Sequence, residues 1–226
     1  MPSRPDQDTF SAVDAFVGST LFAGGDAVLE AAQREADAAG MPEIQVSQPQ
    51  GRLLEVLCRA VDACRILEFG TLAGYSTIAM ARTLPADGLL TTLEFDPDRA
   101  EVAWANIERA GLADMVDLRV GAALETLPLL ASEGAGNFDF VFIDADKINT
   151  PAYFAWALDH TRSGGLIFAD NVIRGGSIVD PGGDDAAEAQ REFHEYLGEE
   201  ERVTATTIQT VGSKGYDGFT LAFVKR

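Results

Sequence analysis

Cysteine, histidine and tryptophan are scarce in this chain of 226 residues, at two each. Cys58 and Cys64 lie six positions apart, a spacing that fits no metal motif and offers no disulfide framework. Both thiols are expected to be buried, in a reducing compartment. Positive charge is also short. The 17 Lys and Arg face 36 Asp and Glu, for a formal net charge of −19. Nucleic acids and anionic membrane surfaces select basic patches, so this balance argues against both. It also disfavours polyanionic substrates, unless a local basic patch overrides the global sign. No apolar run reaches membrane-spanning length, and residues 1–30 carry no basic-then-apolar signal segment. A cytoplasmic protein is expected. Internal repeats and low-complexity linkers are lacking too.

What is present is a full complement of core residues, with 46% of the chain hydrophobic. The length suits one domain over residues 1–226, with a helical cap at 1–62 ahead of an α/β core at 63–226. The cap reads as three helices, over residues 9–22, 26–39 and 49–61, broken at Gly24-Gly25 and Gly40-Met41-Pro42. Strands are expected at 65–69, 89–95, 115–120, 138–143 and 165–169. Helices at 74–84, 97–110, 122–131, 151–161 and 184–197 alternate with or follow them. Segments 202–209 and 218–224 form a closing pair. This alternation predicts an α/β fold with a doubly wound, mostly parallel sheet.

Two strings concentrate the chemistry: Phe142-Ile143-Asp144-Ala145-Asp146-Lys147 and Phe168-Ala169-Asp170-Asn171. Each is an apolar run ending in acids, the pattern of a buried parallel strand whose carboxyl end opens into a site. If the strands are neighbours, Asp144, Asp170 and Asn171 converge. Two carboxylates and an amide oxygen form a hard oxygen cage suited to Mg²⁺ or a similar ion. Lys147, three residues past Asp144, can lean over the same point. The first βα turn, Glu68-Phe69-Gly70-Thr71-Leu72-Ala73-Gly74-Tyr75-Ser76, has the glycine spacing G-x-x-x-G. Gly70 permits a sharp turn and Gly74 a close approach by a ligand. The dinucleotide fingerprint G-x-G-x-x-G is absent, so a ligand without a pyrophosphate fits better. Glu94 ends the second strand, at the spacing of a ribose-binding acid. Asp96, before Pro97, is the better helix cap.

Taken in topological order, these features resemble the metal-dependent, class I S-adenosylmethionine O-methyltransferases, the group of catechol and caffeoyl-CoA O-methyltransferases. The resemblance runs from about Pro42 to the C-terminus. Its most specific part is Asp-Ala-Asp-Lys at 144–147 paired with Asp170-Asn171. It implies a Rossmann-like, doubly wound, mostly parallel seven-stranded sheet with an antiparallel C-terminal strand and extra N-terminal helices. It further implies S-adenosylmethionine as cofactor, Mg²⁺ (or Mn²⁺ or Ca²⁺) as metal, a small phenolic acceptor and a homodimer. Residue by residue, Glu68, Gly70, Thr71 and Ser76 would hold the methionine part of the cofactor, with Gly74 and Tyr75 completing that turn. Glu94 would take the ribose, Ala123 would line the adenine, and Val46 would cover the methionine end. Asp144 and Asp146 would also reach the cofactor. Asp144, Asp170 and Asn171 would bind the metal, and Lys147 would be the general base. Asp146 and Arg174 would flank the substrate mouth.

Two rivals share the fold. A NAD-dependent oxidoreductase would need the missing glycine pattern and has no use for an acidic cage. A regulator with a dead site would have no reason to keep Asp144, Lys147, Asp170 and Asn171 together. The remaining eye-catching residues read as structural. His160 ends a helix, where a cation suits the dipole. His194 lies in an acidic helix and is expected at the surface. Trp104 and Trp156 read as core or interface, Glu199-Glu200-Glu201 as a solvated run, and residues 4–8 as a frayed terminus.

Overall fold

The computed structural model describes residues 6–180 and 182–225. Three helices come first: α1 (Gln7–Leu21), α2 (Ala27–Ala38) and α3 (Gln48–Ala60). Then β1 (Arg65–Phe69), α4 (Tyr75–Ala81), β2 (Leu89–Glu94), α5 (Pro97–Arg109), β3 (Val116–Val120) and α6 (Ala123–Ser132) alternate. The chain continues through β4 (Phe138–Ile143), α7 (Thr150–His160), β5 (Thr161–Asp170), α8 (Asp185–Glu199), β6 (Val203–Thr210) and β7 (Asp217–Val224). Short 3₁₀ segments cover Ala113–Met115 and Arg174–Val179. The seven strands lie in the order β3-β2-β1-β4-β5-β7-β6, and only β7 runs antiparallel to its neighbours. No helix among the described residues is long and apolar enough to cross a membrane.

Alternation along the strands divides the core between the two faces of the sheet. Leu67, Phe69, Val141 and Ile143 point to the face covered by α7 and α8, where Phe154 and Phe193 meet edge-on at 5.2 Å between ring centres. Ile66, Phe140, Phe142 and Phe168 point to the other face, against Leu54 of α3 and Ile78 of α4. Each fully buried side chain of this size contributes about 1.5–3 kcal/mol of hydrophobic stabilisation. The helices start where capping chemistry allows. Asp6, Asp26, Ser47, Asp96 and Asp184 each accept a hydrogen bond from a first-turn backbone amide.

Several local expectations change. Asp6 caps α1 and residues 7–8 are helical, so the expected frayed stretch is ordered from Asp6; Arg4 and Pro5 lie outside the described residues. Cys64 is exposed, whereas Cys58 is buried and its thiol is pushed up to about 12 by desolvation. The reason lies in the backbone: Asp139 Oδ2 accepts from the amides of both Cys64 and Arg65 at 2.7 Å, which anchors the start of β1 and leaves the Cys64 side chain at the rim. His194 is half-buried between α8 and β6, with Nε2 3.1 Å from Thr207 Oγ1. Glu200 is held by Arg202 and Tyr196, which keep its carboxyl down at about 2. On α1, Val13, Phe16 and Leu21 are left exposed.

The strand order reverses between β1 and β4, since β2 and β3 lie to one side and β5 to the other. Gly70, just past β1, has φ +93°, and a Cβ there would collide with the Asp144 carbonyl. Gly70→Ala should therefore destabilise the protein by roughly 1–3 kcal/mol, the range for a residue forced into left-handed backbone. Urea unfolding checks this. A variant as stable as the wild type would show that the β1 and β4 ends separate freely.

Candidate active site

Ladder hydrogen bonds bring four strand ends to one level. The Gly70 amide donates to Leu93 O (2.9 Å), the Gly121 amide to Glu94 O (2.8 Å) and the Asp144 amide to Phe69 O (2.9 Å). Above them opens a cavity of about 700 Å³. Val46, Gly70, Thr71, Tyr75, Ser76, Glu94, Ala123, Asp144, Asp146, Lys147, Asn171 and Arg174 all line it. Three expected site residues do not. Gly74 (φ +84°) is not among the lining residues, and a Cβ there would make a contact of 3.4 Å with the Ala103 carbonyl of α5. Glu68 and Asp170 are buried beneath the wall.

Glu94 combines two tasks. Its Oε2 accepts from the amides of Thr71 (3.2 Å) and Leu72 (2.8 Å), and its Oε1 accepts from the Asp96 amide (3.0 Å). These bonds hold Leu72 at φ +50°, an unfavourable angle for a leucine. The acid that faces the cavity thus also shapes the βα turn. Asp96 caps α5, as expected.

Lys147 Nζ donates to Asp144 Oδ1 at 2.7 Å, and both side chains are largely enclosed. Asp144 and Asp170 follow paired residues of adjacent parallel strands, Ile143 and Ala169. Burial and the Asp144 charge push the Asp170 carboxyl up to about 7, against smaller opposing effects of Lys147, the Asn171 amide and Gln50. The Asn171 amide donates to Asp170 Oδ1 at 2.9 Å, while Asn171 itself sits at φ +55° with its side chain at the cavity. Among the described residues no group of three or more His, Cys, Asp and Glu gathers, so a metal here would rest on two carboxylates and an amide. The donors fit a hard divalent cation, because its charge would relieve the repulsion between the two carboxylates.

Further residues complete the site. Gln50 of α3 donates through Nε2 to Asp170 Oδ2 at 2.6 Å. Asp146 accepts from the Asn149 amide and from Tyr153 OH, which burial and that bond shift toward a higher pKa. Gln190 of α8 donates to the Lys147 carbonyl at 2.8 Å and so anchors the loop that carries the lysine. Asn149, Tyr153 and Leu72 are at the cavity wall. None of these carries a sequence signal of its own.

Beneath the floor, Glu68 is fully buried on the α4 side of β1. It accepts from Ser76 Oγ, Thr77 Oγ1 and Thr92 Oγ1, and Thr71 Oγ1 lies 2.6 Å from Thr92 Oγ1. Desolvation outweighs these hydroxyls and pushes its carboxyl from 4.5 up to about 7. Between those values the folded protein holds a proton that the unfolded chain releases, so stability falls as pH rises through the window and levels off above it. The effect is on the order of 3 kcal/mol. Glu68→Gln should make that part of the stability–pH curve shallower, the rest of the slope being that of Asp170, measured by urea unfolding from pH 5 to 8. Parallel curves for the variant and the wild type would refute the assignment.

The family model for O-methyltransferase matches residues 23–225. A catechol O-methyltransferase of Niastella koreensis is 50% identical over 217 residues, covering 96% of this chain and 98% of that protein. A catechol O-methyltransferase of Mycobacterium tuberculosis is 50% identical over 224 residues, covering 99% and 97%. The crystal structure of a Bacillus cereus O-methyltransferase in complex with SAH superposes with a TM-score of 0.95 at 46% identity, covering 97% of this chain and all of that one. The resemblance read from residue 42 onward therefore begins earlier, inside the helical cap, and the chain belongs to the O-methyltransferase family.

Proposed function

We propose that this protein transfers the methyl group of S-adenosylmethionine to one hydroxyl of a small vicinal diphenol, with a divalent cation at Asp144, Asp170 and Asn171. The observation that carries the reading is Lys147 Nζ, 2.7 Å from Asp144 Oδ1 on the wall of a cavity that also presents Glu94. The catechol O-methyltransferases at 50% identity support the acceptor class, and the SAH complex of the Bacillus cereus relative supports the cofactor.

In this reading Glu94, preset by the Thr71 and Leu72 amides, takes the ribose hydroxyls. The small residues Gly121, Ala122 and Ala123 leave room for the adenine ring. Val46 and Tyr75 close the methionine end, and Thr71 and Ser76 supply hydroxyls there. A bound dication lowers the pKa of a chelated phenol, which is about 10 when free. Lys147 must first release its own proton to solvent; the neutral amine then takes the phenol proton at Nζ, and Asp144 holds the resulting ammonium. The Lys147 loop is fixed by Gln190 and by the Asp146–Asn149 and Asp146–Tyr153 bonds, so the base meets the hydroxyl without a search.

Three experiments test this. Removal of divalent ions with EDTA should abolish catechol methylation, and Mg²⁺ should restore it. Asp170→Ala should lose Mg²⁺ binding by calorimetry while keeping affinity for S-adenosylmethionine within a few-fold. Full turnover with metal content verified as nil would sink the metal assignment. Lys147→Ala should lower kcat by about 10²–10⁴, with a smaller change in KM. Lys147→Arg should not restore it, because a guanidinium keeps its proton at any working pH. A rise in KM alone would reduce Lys147 to a substrate anchor.

A further inference from the structure

In a chain with far more acids than bases, Arg174 stands apart. Its backbone amide and that of Ile173 both donate to Asp217 Oδ1 at 3.0 Å, and its carbonyl accepts from Ser177 Oγ at 2.9 Å. Its guanidinium, by contrast, donates to nothing among the described residues, makes no ion pair there, and has a buried Nε without a partner. It nevertheless lines the cavity, on the loop that carries Asn171 three residues earlier. The loop is forced into place: Arg174 itself has φ +55°, and Gly175 and Gly176 follow at +63° and +95°. An arginine in left-handed backbone persists only where its surroundings impose it. The structure thus fixes the backbone of Arg174 on both sides and leaves its planar set of donors unpaired at the mouth of an acidic site.

We infer that Arg174 is the subsite for a carboxylate on the acceptor, so that the enzyme prefers diphenols carrying a carboxylate over neutral or cationic ones. The inference rests on the methyltransferase reading above. A guanidinium matches a carboxylate with two parallel hydrogen bonds, and the two Nη groups of Arg174 make no bond among the described residues and remain available to such a group. Asp144 and Asp146 would otherwise repel an anionic acceptor, and Lys147 is already paired with Asp144. Arg174 is the lining cation left over to offset them. Arg99, the other one, pairs with Asp96 beside Glu94, toward the cofactor end.

The test compares 3,4-dihydroxybenzoate with its methyl ester in the presence of S-adenosylmethionine and Mg²⁺. The wild type should favour the acid in kcat/KM. The acid-to-ester ratio should fall at least ten-fold in Arg174→Gln, with part of it kept in Arg174→Lys. Arg174→Glu should reverse the preference, favouring a catechol amine over the acid. Such a reversal is a gain that misfolding cannot imitate. An unchanged ratio in Arg174→Gln would overturn the inference. So would a ten-fold weaker affinity for SAH with the acid preference intact, which would give the guanidinium to the cofactor. A larger loss with a catechol acyl thioester of coenzyme A, which has phosphates and no free carboxylate, would assign Arg174 to phosphate and equally overturn it. No turnover of any acceptor by the wild type would instead refute the methyltransferase reading, and this inference with it.

Discussion

The backbone of Gly70 lies against the carbonyl of Asp144, and the site is built outward from that contact. β1 and β4 are the two strands between which the sheet order reverses, so the elements that follow them leave in different directions and a crevice opens above. For the crevice to have a floor, the strand ends must stand at one height and close together. The amides of Gly70, Gly121 and Asp144 each bond to a neighbouring strand's carbonyl, and they fix that height. Only glycine can hold φ +93° against a carbonyl without collision. Once those constraints are met, residues 70–72, 94, 121–123 and 144–147 must be neighbours, although up to 77 positions separate them in the chain.

The same floor concentrates negative charge, and each carboxylate is stabilised by different means. Glu68 is surrounded by three hydroxyls, Glu94 by three backbone amides, Asp170 by Gln50 and the Asn171 amide, and Asp144 by Lys147. The amides and hydroxyls around Glu68 and Glu94 are dipoles built into the fold. Lys147 at Asp144 and Gln50 at Asp170 are flexible side chains, and they can move. A buried carboxylate whose counter-charge is movable is the place where a proton or a cation can be exchanged. The division among the four acids therefore separates Glu68 and Glu94, held by fixed dipoles, from Asp144 and Asp170, whose side-chain partners can move.

Strands buried on both faces betray themselves as apolar runs, and acids at their ends cannot be core, so the parallel sheet and residues 144–147 and 170–171 were legible in the sequence alone. The closing pair and the cap at Asp96 follow from equally local rules. What was not legible depends on contacts between distant residues. Gly74 has the same motif position whether or not it lines the cavity, and only the arrangement of α4 beside α5 places it off the lining. Cys64 looks apolar until Asp139, 75 residues away, fixes its backbone at the rim. The unpaired guanidinium of Arg174 is likewise a property of its neighbours, among them Asp217, which bonds the backbone and leaves the side chain free.

Gln50 shows the limit most sharply. Ser47-Gln48-Pro49-Gln50 has the form of a capping box, in which the glutamine reaches back to the cap amide. Half of that box forms: Ser47 Oγ accepts from the Gln50 amide at 3.4 Å. The glutamine side chain, however, reaches forward 120 residues to Asp170. The side chain forgoes the return bond to the cap amide, because a hydrogen bond to a carboxylate in a low dielectric is stronger than one to an amide at a helix start, and the Ser47 bond to the Gln50 backbone amide forms alongside it. The helical cap is consequently part of the site: α3 supplies the donor that satisfies Asp170, and residues 44–46, immediately ahead of it, wall the cavity.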